Sequence, residues 1–157
     1  MGISQDFVDI LMNCAIEEAK LAFSEGEVPI GAAIGSWAGE AGTLIARDHN
    51  RIEQKHDPTA HAEMLVIRAA AEKAGNWRLS DTVLCVSLEP CLMCAGAIRL
   101  ARIPLLVFGA ADNRFGAFGS GLDLSEDASL GPLPEVRKGL RSEECAGLLK
   151  QFFKERR

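Results

Sequence analysis

No stretch of this 157-residue chain approaches the roughly 20 consecutive apolar residues of a membrane-spanning helix, so a transmembrane reading is excluded. The start lacks the basic segment, long apolar run and small-residue cleavage pattern of a secretory leader, and the chain reads as cytoplasmic. Positive charge is also short. Seventeen Lys and Arg against 22 Asp and Glu leave a formal charge of −5, which gives a nucleic-acid binder no bulk electrostatic help. Five cysteines, an odd number, argue against a closed disulfide framework and for free thiols or metal ligation. Repeats and low-complexity tracts are missing. What remains is 48% apolar residues over a length that suits one globular domain spanning 1–157. Lys150, Lys154, Arg156 and Arg157 make a basic end, which at a helix C-terminus also serves capping and solubility.

Phe7, Ile10, Leu11, Cys14 and Ala15 recur at helical spacing and predict an amphipathic helix over 4–25, broken by Gly26-Glu27. Val28 to Ile34 and Thr43 to Arg47 predict a β-hairpin with a long glycine-containing loop. Asp57-Pro58 reads as an N-cap and first-turn proline of a second helix, which Gly75 ends. Thr82 to Ser87 reads as a strand, Cys91 to Ala101 as a helix opened by Pro90, and Leu105 to Gly109 as another strand. This alternation predicts an α/β layered domain with parallel central strands. Residues 110–133 read as surface loop with a short edge strand after it, and Ser142 as the cap of a final helix.

Two short motifs carry the chemistry: His61-Ala62-Glu63 and Pro90-Cys91-Leu92-Met93-Cys94. One imidazole and two thiolates leave a tetrahedral zinc with an open fourth position, which suits catalysis. Cys91 and Cys94, three apart at a helix start, share one face, and the electropositive helix end favours their thiolates. Glu63 is a spare carboxylate for proton transfer. Two residues from His61, it lies about 200° round an ideal helix, so the two meet only over the helix end or by wrapping back. A redox pair has no need of the upstream His-x-Glu, and a structural zinc wants a fourth ligand that Cys14, Cys85 and Cys145 do not supply at suitable spacing. Those three read as core, and His49 and His56 as loop histidines.

The strings Gly26-Glu27-Val28-Pro29-Ile30-Gly31-Ala32, Asn50, Asp57-Pro58-Thr59-Ala60-His61-Ala62-Glu63 and Leu88-Glu89-Pro90-Cys91-Leu92-Met93-Cys94 resemble bacterial tRNA-specific adenosine deaminases (TadA type). The match extends through Phe108-Gly109-Ala110 to Phe152-Phe153-Lys154. The resemblance implies a cytidine-deaminase-like fold, a three-layer α/β/α arrangement around a mixed five-stranded sheet. It implies a homodimer that hydrolyses adenosine to inosine at the wobble position of a tRNA anticodon stem-loop, with one zinc per subunit. Carried over by position, His61, Cys91 and Cys94 bind zinc and Glu63 shuttles protons. Asn50 hydrogen-bonds the base, and Val28 and Pro29 line its pocket. Asp112 and Arg114 meet the anticodon, and Phe152 and Phe153 support RNA contact. A positive rim drawn from Arg99, Arg102, Arg114 and the basic end is expected around the pocket.

The main rival is a free-base, guanine-type deaminase, which shares the Asp57-to-Glu63 run and predicts a closed pocket. A non-catalytic partner subunit is disfavoured because Glu63 is present. The chain departs from the family pattern at Leu133-Pro134-Glu135-Val136, in the Gly35–Gly42 loop and at Trp77, and matches it weakly over 121–132. None of these positions is a zinc ligand.

Overall fold

The computed structural model describes residues 2–39 and 41–156. Ser4 opens α1 (Gln5–Ser24) by accepting a hydrogen bond from the Phe7 N–H at 3.2 Å, and Gly26, at φ 79°, turns the chain away. A hairpin follows, β1 (Gly31–Ser36) with β2 (Thr43–His49), its register shifted by one irregularity between Ile34 and Gly35. Val28 to Ile30 is therefore an extended lead-in rather than strand. A four-residue helix, α2 (Ile52–Lys55), is too short to leave a periodic signal in the sequence. Then come α3 (Ala62–Ala74), β3 (Thr82–Leu88), α4 (Leu92–Leu100), β4 (Leu105–Ala110), β5 (Glu135–Lys138) and α5 (Ser142–Glu155).

The five strands form one mixed sheet in the order β2-β1-β3-β4-β5. β3, β4 and β5 run parallel, while β1 is antiparallel to both its neighbours, so parallel pairing covers only part of the sheet. Alternation along the strands builds the three layers. Val83, Cys85, Leu105 and Val107 face α1 and α5, together with the buried Cys14 and Cys145. Leu84, Val86, Leu106 and Phe108 face α3 and α4. Each such side chain, fully buried, contributes roughly 1.5–3 kcal/mol of transfer free energy. Gly31 lets α1 lie directly on the sheet: a Cβ there would enter the α1 backbone at Ala15 and Ala19.

Three local expectations need correction. Asp57 does not cap α3. Its carboxylate accepts from the Thr59 N–H and hydroxyl in a tight turn, and the helix begins only at Ala62. Ser142 is the first residue of α5, not its cap, because Arg141 occupies that position in a left-handed conformation. His49 is no loop histidine: it ends β2, is buried, and its ring nitrogens face Glu18 at 2.8 Å and Glu25 at 3.0 Å. Arg157 lies outside the described residues.

Candidate metal centre and active site

His61 and Cys91 occupy the same kind of position: each is the N-cap of its helix, α3 and α4 respectively. Neither side chain caps its own helix, so both are free to turn toward the space between the helix starts. Cys94 follows in the first turn of α4. The His61 Nδ1 lies 3.7 Å from the Cys91 Sγ and 3.6 Å from the Cys94 Sγ. Bonds of about 2.0–2.1 Å to nitrogen and 2.3 Å to sulfur at tetrahedral angles separate such atoms by about 3.5 Å, so the trio fits zinc in size and donor type. All three donor atoms lie within 4.8 Å of one another. The helix-wheel conflict between His61 and Glu63 disappears, because His61 has extended dihedrals (φ −76°, ψ 149°) and lies outside the helix.

The local electrostatics suit a cation with a proton carrier beside it. A hydrogen bond from Cys94 and the neighbouring His61 pull the Cys91 thiol down to about 3, against the effect of burial. The same Cys91 contact, with burial, holds the Cys94 thiol up. The hydrogen bond to Cys91 raises His61 against burial, with Glu63 and the Pro58 carbonyl adding to the effect. Glu63 is only 4% exposed, and burial pushes its carboxyl up to about 7, where it can both take and give a proton.

His61, Glu63 and Cys91 line a cavity of about 790 Å³, with Cys94 buried behind them. Val28 and Ile30 line it, but Pro29 between them does not, because an extended segment turns alternate side chains to opposite sides. Asn50 lines it too. Its Oδ1 accepts from the Ala62 N–H at 2.9 Å, which satisfies the start of α3 and orients the amide. Asp112 and Arg114 also line the cavity, and Asp112 accepts from the N–H groups of Arg114 and Phe115. From α5, Phe153 and Leu149 line the wall, whereas Phe152 is buried edge-on against Phe23 with Arg156 over its ring. Phe152 thus points into the core, not the cavity.

The wall from Asp112 to Ser120 hangs on one carboxylate. Glu89 accepts from the N–H groups of Asp112, Phe118 and Ser120 and from the Ser120 hydroxyl. Burial raises the Glu89 carboxyl, but these four donors outweigh it and hold it below its usual range. Arg99 and Arg102 do not join a basic rim. Arg99 is buried and donates to the carbonyls of Leu124, Asp127 and Gly131, and Arg102 to that of Leu130. Arg114 is the one Lys or Arg in the cavity wall among the described residues. Phe115, Ile52 and Met93 are wall residues the sequence did not single out: Phe115 sits in a glycine-rich loop without periodicity, and the helix carrying Ile52 is one turn long.

Residues 8–157 match the family model of MafB19-like deaminases. The chain is 45% identical over 149 residues to the tRNA-specific adenosine deaminase of Bacillus subtilis (strain 168), covering 95% of this chain and 90% of that one. A structure from studies of A-to-I editing by tRNA deaminases at the wobble position superposes with a TM-score of 0.83 at 42% identity, over 90% of this chain and 99% of that one. A guanine deaminase from Nitrosomonas europaea superposes with a TM-score of 0.71 at 26% identity, over 90% of this chain and 82% of the other.

Proposed function

The chain belongs to the tRNA-specific adenosine deaminases, and from this premise we propose that it converts adenosine to inosine at the wobble position of a tRNA anticodon. The observation that carries the reading is a buried Glu63 lining the same cavity as His61 and Cys91, whose donor atoms cluster with that of the buried Cys94. Zinc, when held by those three residues, supplies a Lewis acid that brings the pKa of water to about 7. Glu63 takes a proton from the attacking water and delivers it to adenine N1 as attack proceeds at C6. It then takes the remaining proton from the hydroxyl at C6 and passes it to the amine, which departs as the C6 carbonyl forms. Adenosine and water become inosine and ammonia. Asn50 holds the base edge, and Val28, Ile30 and Ile52 keep bulk water from the reacting atoms.

The open mouth favours RNA over a free base. Phe153, 49% exposed, stands at the rim rather than closing it. A looped RNA also presents its bases already unpaired, which lowers the cost of extruding one. Among the described residues no helix is long and apolar enough to cross a membrane. A cytoplasmic homodimer with one zinc per subunit completes the reading. Incubating the purified protein with an anticodon stem-loop bearing a wobble adenosine, and separately with adenine, guanine and cytidine, should give inosine in the stem-loop alone. Turnover of a free base without the stem-loop overturns the assignment.

A further inference from the structure

Phe115 is 61% exposed, yet it is not on a loose loop. Its own N–H and that of Arg114 donate to the Asp112 carboxylate, at 3.2 and 3.0 Å. The Gly116 N–H donates to the Asp112 carbonyl at 2.9 Å, and Gly116 bridges to Cys91, itself one of the three candidate metal ligands. No side chain could replace Gly116, since its Cβ would fall on the Glu89 carboxyl. The chain therefore fixes a large apolar ring in water at the mouth of its own active site. That placement does nothing for the core, and with the exposed Leu92 and Phe153 lining the same cavity the ring belongs to an apolar patch rather than standing alone. The Arg114 guanidinium lies 4.9 Å from the ring centroid, so a cation and a π-face stand side by side. The carboxylates nearest this rim, Asp112 and Glu89, are turned onto backbone N–H groups.

A nucleotide offers the complementary pair, a flat base and an anionic phosphate. The cavity, about 790 Å³, lies in the upper part of the roughly 300–1,000 Å³ range of small-ligand sites. One planar base reaching Glu63 fills only its inner part, and the adjoining nucleotide must pass over the mouth. We propose that Phe115 is the stacking platform for the nucleotide next to the deaminated adenosine, with Arg114 meeting that nucleotide's phosphate. The inference rests on the RNA reading above and adds to it the residue that holds the target's neighbour.

The test combines protein and RNA changes. Wild type, Phe115→Ala, Phe115→Trp and Arg114→Gln are assayed on the stem-loop, intact or abasic at either neighbour of the target adenosine. Loss of one stacked base predicts a KM raised about 5- to 150-fold in Phe115→Ala, with the loss falling on KM rather than kcat. Phe115→Trp should retain wild-type KM. On the RNA whose platform base is missing, Phe115→Ala and wild type should become equal. Arg114→Gln should flatten the slope of log affinity against log salt by about 0.7, a change Phe115→Ala should not produce. An unchanged KM for Phe115→Ala on intact RNA, or a loss that persists on both abasic RNAs, overturns the platform. Failure of wild type to convert the intact stem-loop instead overturns the RNA reading on which it rests.

Discussion

In the proposed mechanism the chemistry turns on Glu63, whose placement separates proton transfer from metal binding. It is buried beside the candidate ligands His61, Cys91 and Cys94 and is not part of that cluster. Glu63→Gln keeps the volume and removes the proton carrier. Turnover should fall by about 10²–10⁴-fold while zinc content stays near one per chain. Steady-state kinetics with metal analysis checks both, and loss of zinc would make Glu63 structural. The sequence singled out the four residues that the structure brings together, because donor type and spacing are local properties. An ideal wheel sets His61 apart from Glu63 unless their site lies over the helix end, which is where His61, as N-cap, stands. The Asp57-Thr59 turn delays the helix to Ala62 and frees the ring from the wheel. Pro29 and Phe152 illustrate the opposite limit, since lining a cavity depends on which way a neighbour-packed side chain faces.

Among the elements, the Asp112–Ser120 wall shows how one buried side chain can replace a missing strand or helix. Glu89→Gln would set an amide against N–H donors. At about 2 kcal/mol for charge-assisted hydrogen bonds, Tm near neutral pH should fall by about 4–8 °C. Because the folded carboxyl lies below its unfolded value of about 4.5, this contribution is present above that pH and fades as pH falls through the folded value. The gap between wild type and variant should close on acidification, as melting curves from pH 7 downward would show. Main elements were legible from periodicity and glycine, as with Gly75, which ends α3 in a left-handed conformation. The carboxylate clamp was not, because Glu89 and Ser120 are 31 residues apart and only the fold brings them together.

For the whole molecule, the sheet separates two populations of thiols. Cys14, Cys85 and Cys145 belong to the core beneath α1 and α5, and burial raises Cys145 to about 11 and Cys85 further still. Cys91 belongs to the cavity on the other side and is held as thiolate. Chelating the metal should let iodoacetamide label Cys91 first, with the three core thiols protected until global unfolding, as peptide mass spectrometry would resolve. Core thiols reacting as fast as Cys91 would mean that the metal holds both layers together. The layered architecture was legible from the alternation of strand and helix patterns. The antiparallel seat of β1 between β2 and β3 was not, because pairing direction leaves no mark on composition.

The buried grip of Arg99 has a consequence for how this protein can vary. Its guanidinium takes hold of the carbonyls of Leu124, Asp127 and Gly131, atoms that any amino acid supplies. An anchor of this kind is blind to side-chain identity. Residues 121–132 can drift in sequence while remaining moored at the same points, provided Arg99 itself stays.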